Sequence, residues 1–95
     1  MATRIGVLHL DLMIGDAMSL KDKRRIIKSF IDRLRSRHNV SVAEVESQDS
    51  HRRAVLAVVM VSNDGRYIEG ALQHVVNAAA VYRGMVVVSS DIELL

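Results

Sequence analysis

The chain of 95 residues has no cysteine, no proline and no tryptophan, and its aromatics are one phenylalanine and two tyrosines. Without cysteine there is no disulfide framework, no thiolate metal site and no thiol nucleophile. Methionine oxidation is the only sulfur redox chemistry left. The lack of proline, with only five glycines, argues against linkers, and no repeat or low-complexity stretch interrupts the sequence. Residues 1–95 therefore read as one domain. A chain of this length buries roughly 60–70% of the surface it exposes when unfolded, enough for a core without metal or disulfide staples. Long apolar runs are also missing. The stretch from Ala78 to Val88 is broken by Tyr82, Arg83 and Gly84 and is too short to span a bilayer. The N-terminus enters a strand-like alternation with no cationic and apolar leader pattern, so the expectation is a cytoplasmic protein with no membrane partner.

What is present is a sided pattern. From Arg4 to Ile14, Leu8, Leu10, Leu12 and Ile14 alternate with Val7, His9, Asp11 and Met13, which predicts a strand with one buried face. Gly15 to Met18 forms a turn. Ser19 followed by Asp22 resembles a capping box with the shorter acid, and the helix that starts there should end near His38 and Asn39. Its apolar stripe is Leu20, Ile27, Ile31 and Leu34, with Phe30 at the edge. Val40 to Gln48 reads as a more polar second strand and Asp49 to Arg52 as a turn. Ala54 to Val61 is apolar on both faces, the mark of a central strand covered on both sides. Ser62, Asn63 and Asp64 start a second helix with the stripe Ile68, Ala71, Leu72, Val75 and Ala79. Gly84 closes it, and a last strand runs from Met85 to about Ile92.

The order β-α-β-β-α-β predicts a ferredoxin-like α+β sandwich, a four-stranded antiparallel sheet with two helices on one face. The first and third strands are expected at its centre, paired parallel, over a core of Leu8, Leu10, Leu12, Ile27, Ile31, Leu34, Leu72 and Val75. The helices cover one face only. An apolar third strand therefore points to a second copy that packs through the open face or a sheet edge, with Val59 on that face; the alternative is a solvated face on which His9, Asp11, Ser89 and Asp91 dilute the valines.

Charge is concentrated in the first helix. From Leu20 to Asn39 eight lysines and arginines stand against two aspartates, a balance of +6, whereas the remaining residues sum to −4. Such concentration bears on partners rather than on fold, and it points to a polyanion such as RNA. At 100° per residue Lys21, Arg24, Lys28 and Arg35 fall within about 60° of arc and form a basic ridge. These four are the candidate nucleic-acid-binding residues, and Arg66 and Arg83 lie outside the ridge. A solvated helix face is the alternative, with Asp22 and Asp32 pairing to Arg25 and Arg35 at i,i+3. The shortage of aromatics removes the stacking platform by which sheets of this topology hold bases.

Ser19-Leu-Lys-Asp-Lys-Arg-Arg, Asn39-Val-Ser-Val-Ala-Glu-Val-Glu46, Gln48-Asp49 and Ser62-Asn63-Asp64 together resemble the YlxP-like family of small bacterial proteins of unknown function, over nearly the whole chain. The resemblance implies a ferredoxin-like fold and a bacterial cytoplasmic setting. It also implies a genomic neighbourhood of transcription, translation initiation and ribosome maturation. Ser50-His51-Arg52 departs from the bulky residues the family often carries after the Gln-Asp pair.

Catalysis is the minority reading. His9 and Asp11 share a strand face and, with His51, imitate a metal or acid–base site. The same residues serve equally as a hydrogen-bonding pair on an open sheet. No Ser-His-Asp order, P-loop or dinucleotide fingerprint occurs. Ile14 to Met18 also lacks the arginine that an acylphosphatase-type phosphate loop needs. The expectation is a non-enzymatic protein with no metal and no cofactor that associates with RNA or a ribosomal particle through its first helix. The alternative is a homodimeric protein-interaction or ligand-sensing module that works through its open sheet.

Overall fold

The computed structural model describes residues 2–95. Its elements run β1 (Arg4–Met13), α1 (Leu20–Arg37), β2 (Ser41–Glu46), β3 (Arg53–Ser62), α2 (Gly65–Ala80) and β4 (Val86–Leu94). The alternation of β1 holds: Leu8, Leu10, Leu12 and the following Ile14 are fully buried, while His9 and Met13 are exposed. α1 opens with Ser19 Oγ accepting from the Asp22 amide at 3.1 Å. The reciprocal bond is displaced by one residue, because Asp22 Oδ2 accepts from the Met18 amide at 3.0 Å. α2 is capped by Asp64, whose carboxylate accepts from the amides of Arg66 and Tyr67. That helix ends at Ala80, so Tyr82 lies just beyond it, and Gly84 at φ 94° provides the left-handed residue that turns the chain into β4.

The sheet order is β2-β3-β1-β4, and every neighbouring pair is antiparallel. This gives the ferredoxin-like arrangement but corrects the parallel pairing expected of the two central strands. The α1 crossover makes β1 parallel to β2. The tight turn makes β3 antiparallel to β2, and β3 lies between the two, so Leu8 faces Val58 and Leu10 faces Leu56 in antiparallel register. The central position of both strands is as expected.

One core lies between the sheet and the helices. It contains Leu8, Leu10, Leu12, Ile27, Phe30, Leu34, Leu56, Val58, Leu72 and Val75, among others. Phe30 sits at the centre of the α1 stripe rather than at its edge, and Leu20 and Ile31 are only half-buried. The helix is rotated toward the end of α2, where the rings of Phe30 and Tyr82 meet edge to face at 5.1 Å. Gly6 lets α2 approach β1, because a Cβ there would overlap Ile68 Cγ2 and stand 3.1 Å from Leu72 Cδ1.

The opposite face of the sheet carries no helix. Val7, His9, Asp11 and Met13 of β1 lie on it beside Val55, Ala57, Val59 and Val61 of β3. Val61 is 55% exposed and Val86, across from Met13, is 60% exposed. Val59 therefore points away from the helices, as its alternation requires.

Candidate nucleic-acid interface

All four ridge residues are exposed on α1, but they do not act alike. Arg35 reaches over the sheet edge and donates from Nη2 to the Val42 carbonyl of β2 at 3.2 Å. Lys28 pairs with Asp32 at 2.8 Å, one turn away. This replaces the expected Asp32–Arg35 pair, because the i,i+4 lysine reaches the carboxylate while Arg35 is held by β2. Asp22 does pair with Arg25, at 3.4 Å. Such exposed pairs contribute only about 0.2–1 kcal/mol and a phosphate can displace them. Lys21 and Arg24 have no carboxylate partner among the described residues.

A second basic surface lies on the other flank of the apolar stripe. Arg25, Ser29, Arg33 and Arg37 are spaced four residues apart and line one wall of a cleft of about 700 Å³ between α1 and the end of α2. The opposite wall carries Val81 and Arg83. Among the described residues no carboxylate lines this cleft, and Arg33, Arg37 and Arg83 have no ion-pair partner. Tyr82 also lines the cleft; its hydroxyl hydrogen-bonds Ser29 Oγ, and its ring and that of Phe30 pack edge to face. The four-residue ladder is legible on a helical wheel, but the contribution of Arg83 is not, because it depends on where α2 ends.

Lys23 departs from the exposure usual for a lysine. It is completely buried, and its ammonium donates to Glu44 Oε2 at 2.7 Å and to the carbonyls of Ser47 at 2.8 Å and Arg53 at 3.1 Å. The Gln48 carbonyl is more distant, at 3.4 Å. A bulge between Glu44 and Glu46 in the β2–β3 pairing directs Glu44 to the helix side, opposite Leu56, and sends Glu46 to the open face. The lysine thus ties α1 to the turn after β2, where Ser47 adopts φ 63°. It belongs to the scaffold that presents the basic surface. A lysine lying between Phe30 and Leu34 on the wheel was the available signal.

His9 and Asp11 share the open sheet face, as their spacing requires, but they do not form a dyad. Both oxygens of Asp11 accept from Nη2 of Arg53 at 2.8 Å, so its charge is directed at Arg53 rather than at His9. His51 lies in the β2–β3 turn, beyond the Met13 end of β1, whereas His9 is four residues back along that strand, about 13 Å at the usual rise. The structure does not bring the three together, and among the described residues no group of three or more histidines, cysteines and acids is placed to hold a metal. Asp11, Glu46 and Asp91 make this face acidic while α1 makes the other basic. Among the described residues no helix is long and apolar enough to cross a membrane.

Residues 5–92 match the model of a family described as "Protein of unknown function (DUF503)". The chain is similar to the uncharacterized protein YlxP of Bacillus subtilis, at 35% identity over 71 residues that cover 75% of this chain and 77% of that protein. Among solved structures, the de novo designed protein Foldit4 shares the fold with a TM-score of 0.52 at 15% identity, over 97% of this chain and 93% of the designed one.

Proposed function

Because the chain belongs to the DUF503 family of proteins of unknown function, we propose its role from its surface: a non-enzymatic, cytoplasmic accessory protein that associates with RNA or a ribosomal particle through α1. One observation carries this reading. Of the eight lysines and arginines on α1, Lys21, Arg24, Arg33, Arg35 and Arg37 have no carboxylate partner among the described residues. Water alone satisfies exposed cations, so without carboxylate partners they are free to meet a polyanion. A row of unpaired cations releases counterions when it meets a phosphate chain, and that release drives non-specific association with nucleic acid. Acids on the open sheet turn the opposite face away from the same polyanion.

The test is co-sedimentation of the full chain with ribosomal particles at low and at high salt. Retention at low salt and release at high salt is the expected result. Absence from the particles and from RNA at every salt concentration ends the reading.

A second reading rests on the exposed Ile5, Met13, Val45, Val61 and Val86 on the helix-free side of the sheet. These residues support a homodimer packed through that face. The two readings use opposite surfaces, so one protein can do both.

A further inference from the structure

We infer that the cleft between α1 and the end of α2 binds the phosphodiester backbone of single-stranded RNA, with Arg25, Arg33, Arg37 and Arg83 as the phosphate contacts. This deepens the reading of α1 as an RNA-binding helix and rests on it, but it moves the seat of binding. The ridge of Lys21, Arg24, Lys28 and Arg35 faces the β2 edge, whereas the cleft opens toward α2.

Three features favour the cleft. The first is charge: four arginines line it and, among the described residues, no carboxylate does. Guanidinium forks match the oxygens of phosphates and carboxylates in pairs, so the ligand is an oxyanion, and several arginines in a row suit the repeated charges of a phosphate chain. The second is spacing. The arginines at positions 25, 33 and 37 lie about 12 Å and then about 6 Å apart along α1, with the uncharged Ser29 between the first two, so the wall is a track of successive charges rather than a point. The third is shape. A groove between two packed helices admits one extended strand, while a duplex is read across its wide minor groove by a convex surface.

The rest of the lining explains what kind of strand binding this is. Tyr82 is half-buried, hydrogen-bonded to Ser29 and packed edge to face with Phe30, so the ring is held as part of the scaffold. Val81, 84% exposed at the lip, gives a base an apolar edge but no hydrogen bond. Recognition is therefore by backbone charge, tolerant of sequence and dependent on salt.

Fluorescence anisotropy of a labelled ten-nucleotide oligouridylate tests this with the full chain. Wild-type protein is expected to bind with a log–log salt slope of about −3, from four contacts at ~0.7 each. The R33Q/R37Q variant should lose about tenfold in affinity and flatten the slope by about one to one and a half units. V81E, which sets a carboxylate at an already exposed position, should weaken binding in the same direction, K21Q/R24Q should weaken it less than R33Q/R37Q does, and R66Q, exposed at the far end of α2, should leave it unchanged. Unaltered thermal midpoints confirm that these variants are folded. If K21Q/R24Q abolishes binding while R33Q/R37Q and V81E retain it, the cleft assignment is overturned and α1 remains an RNA-binding helix. If ATP, titrated separately, binds the cleft more tightly than the oligouridylate, the ligand is a free nucleotide and the RNA assignment fails. If wild-type protein binds no RNA at low salt, the reading of α1 fails with it.

Discussion

Lys23 and Glu44, 21 residues apart in sequence, meet at 2.7 Å on the core side of the sheet, with the lysine fully buried and the glutamate side chain 20% exposed. The pair stands where α1 crosses the β2–β3 turn. Its ammonium also donates to the carbonyls of Arg53 and of Ser47, the latter accepting from the Ser50 amide as well. Helix, turn and the start of β3 are thereby joined by one side chain.

Replacing Lys23 by methionine keeps most of the side-chain volume and removes every one of those donors. Breaking a buried pair from one side costs ~3–5 kcal/mol, because the remaining charge and carbonyls stay desolvated. Urea denaturation should show a loss of that size, and E44Q should destabilise as well, since it leaves the fully buried ammonium without a counter-charge. An unchanged midpoint for K23M would mean that the ammonium contributes nothing net at this site.

Leu10 is fully buried on β1, between Leu56 of β3 and Ser90 of the edge strand β4. Leu10→Ala removes its contacts and leaves a cavity, at a cost of ~2–5 kcal/mol. A midpoint shift below this range would place the tightest packing elsewhere in the sheet.

At Gly6 the addition of a single methyl group is enough to matter. Gly6→Ala drives Cβ into Ile68 and against Leu72, so α2 has to move outward. Overpacking of this kind costs ~1–3 kcal/mol. Alanine ordinarily stabilises a strand relative to glycine, so a melting temperature at or above the wild-type value would show that α2 yields freely.

The open sheet face makes a prediction about association. Val59 points into it, between Val7 and Ser41. Sedimentation equilibrium should find wild-type dimer at high micromolar concentration and V59K monomer, with the two circular dichroism spectra superimposable. A wild-type protein that stays monomeric at that concentration removes the sheet-face dimer.

Much of the architecture was legible from local pattern. The alternation Leu8, Leu10, Leu12, Ile14 identified both the strand and its buried side, and Ser19 and Asp64 marked the helix starts at the residues that cap them. The resemblance to the YlxP-like family was carried by motifs spread from Ser19 to Asp64. The candidate site was half legible. Arginines at positions 25, 33 and 37 follow from helical spacing alone, but the cleft needs a second wall, and that wall is made by residues after α2 ends.

Periodicity, capping residues and the distribution of charge along the chain determined, without reference to any contact, which segments are helix or strand, which face of each is apolar, and that the first helix is basic. These are properties of residues within a few positions of one another, where backbone geometry leaves few choices. Tertiary structure alone decided the antiparallel pairing of β1 with β3, the burial of Lys23 against Glu44, the engagement of Arg35 by Val42 and the grouping of Arg83 with the arginines of α1. Each joins elements distant in sequence. In each case the outcome depends on which polar groups remain desolvated once the layers close, a condition that no local segment encodes.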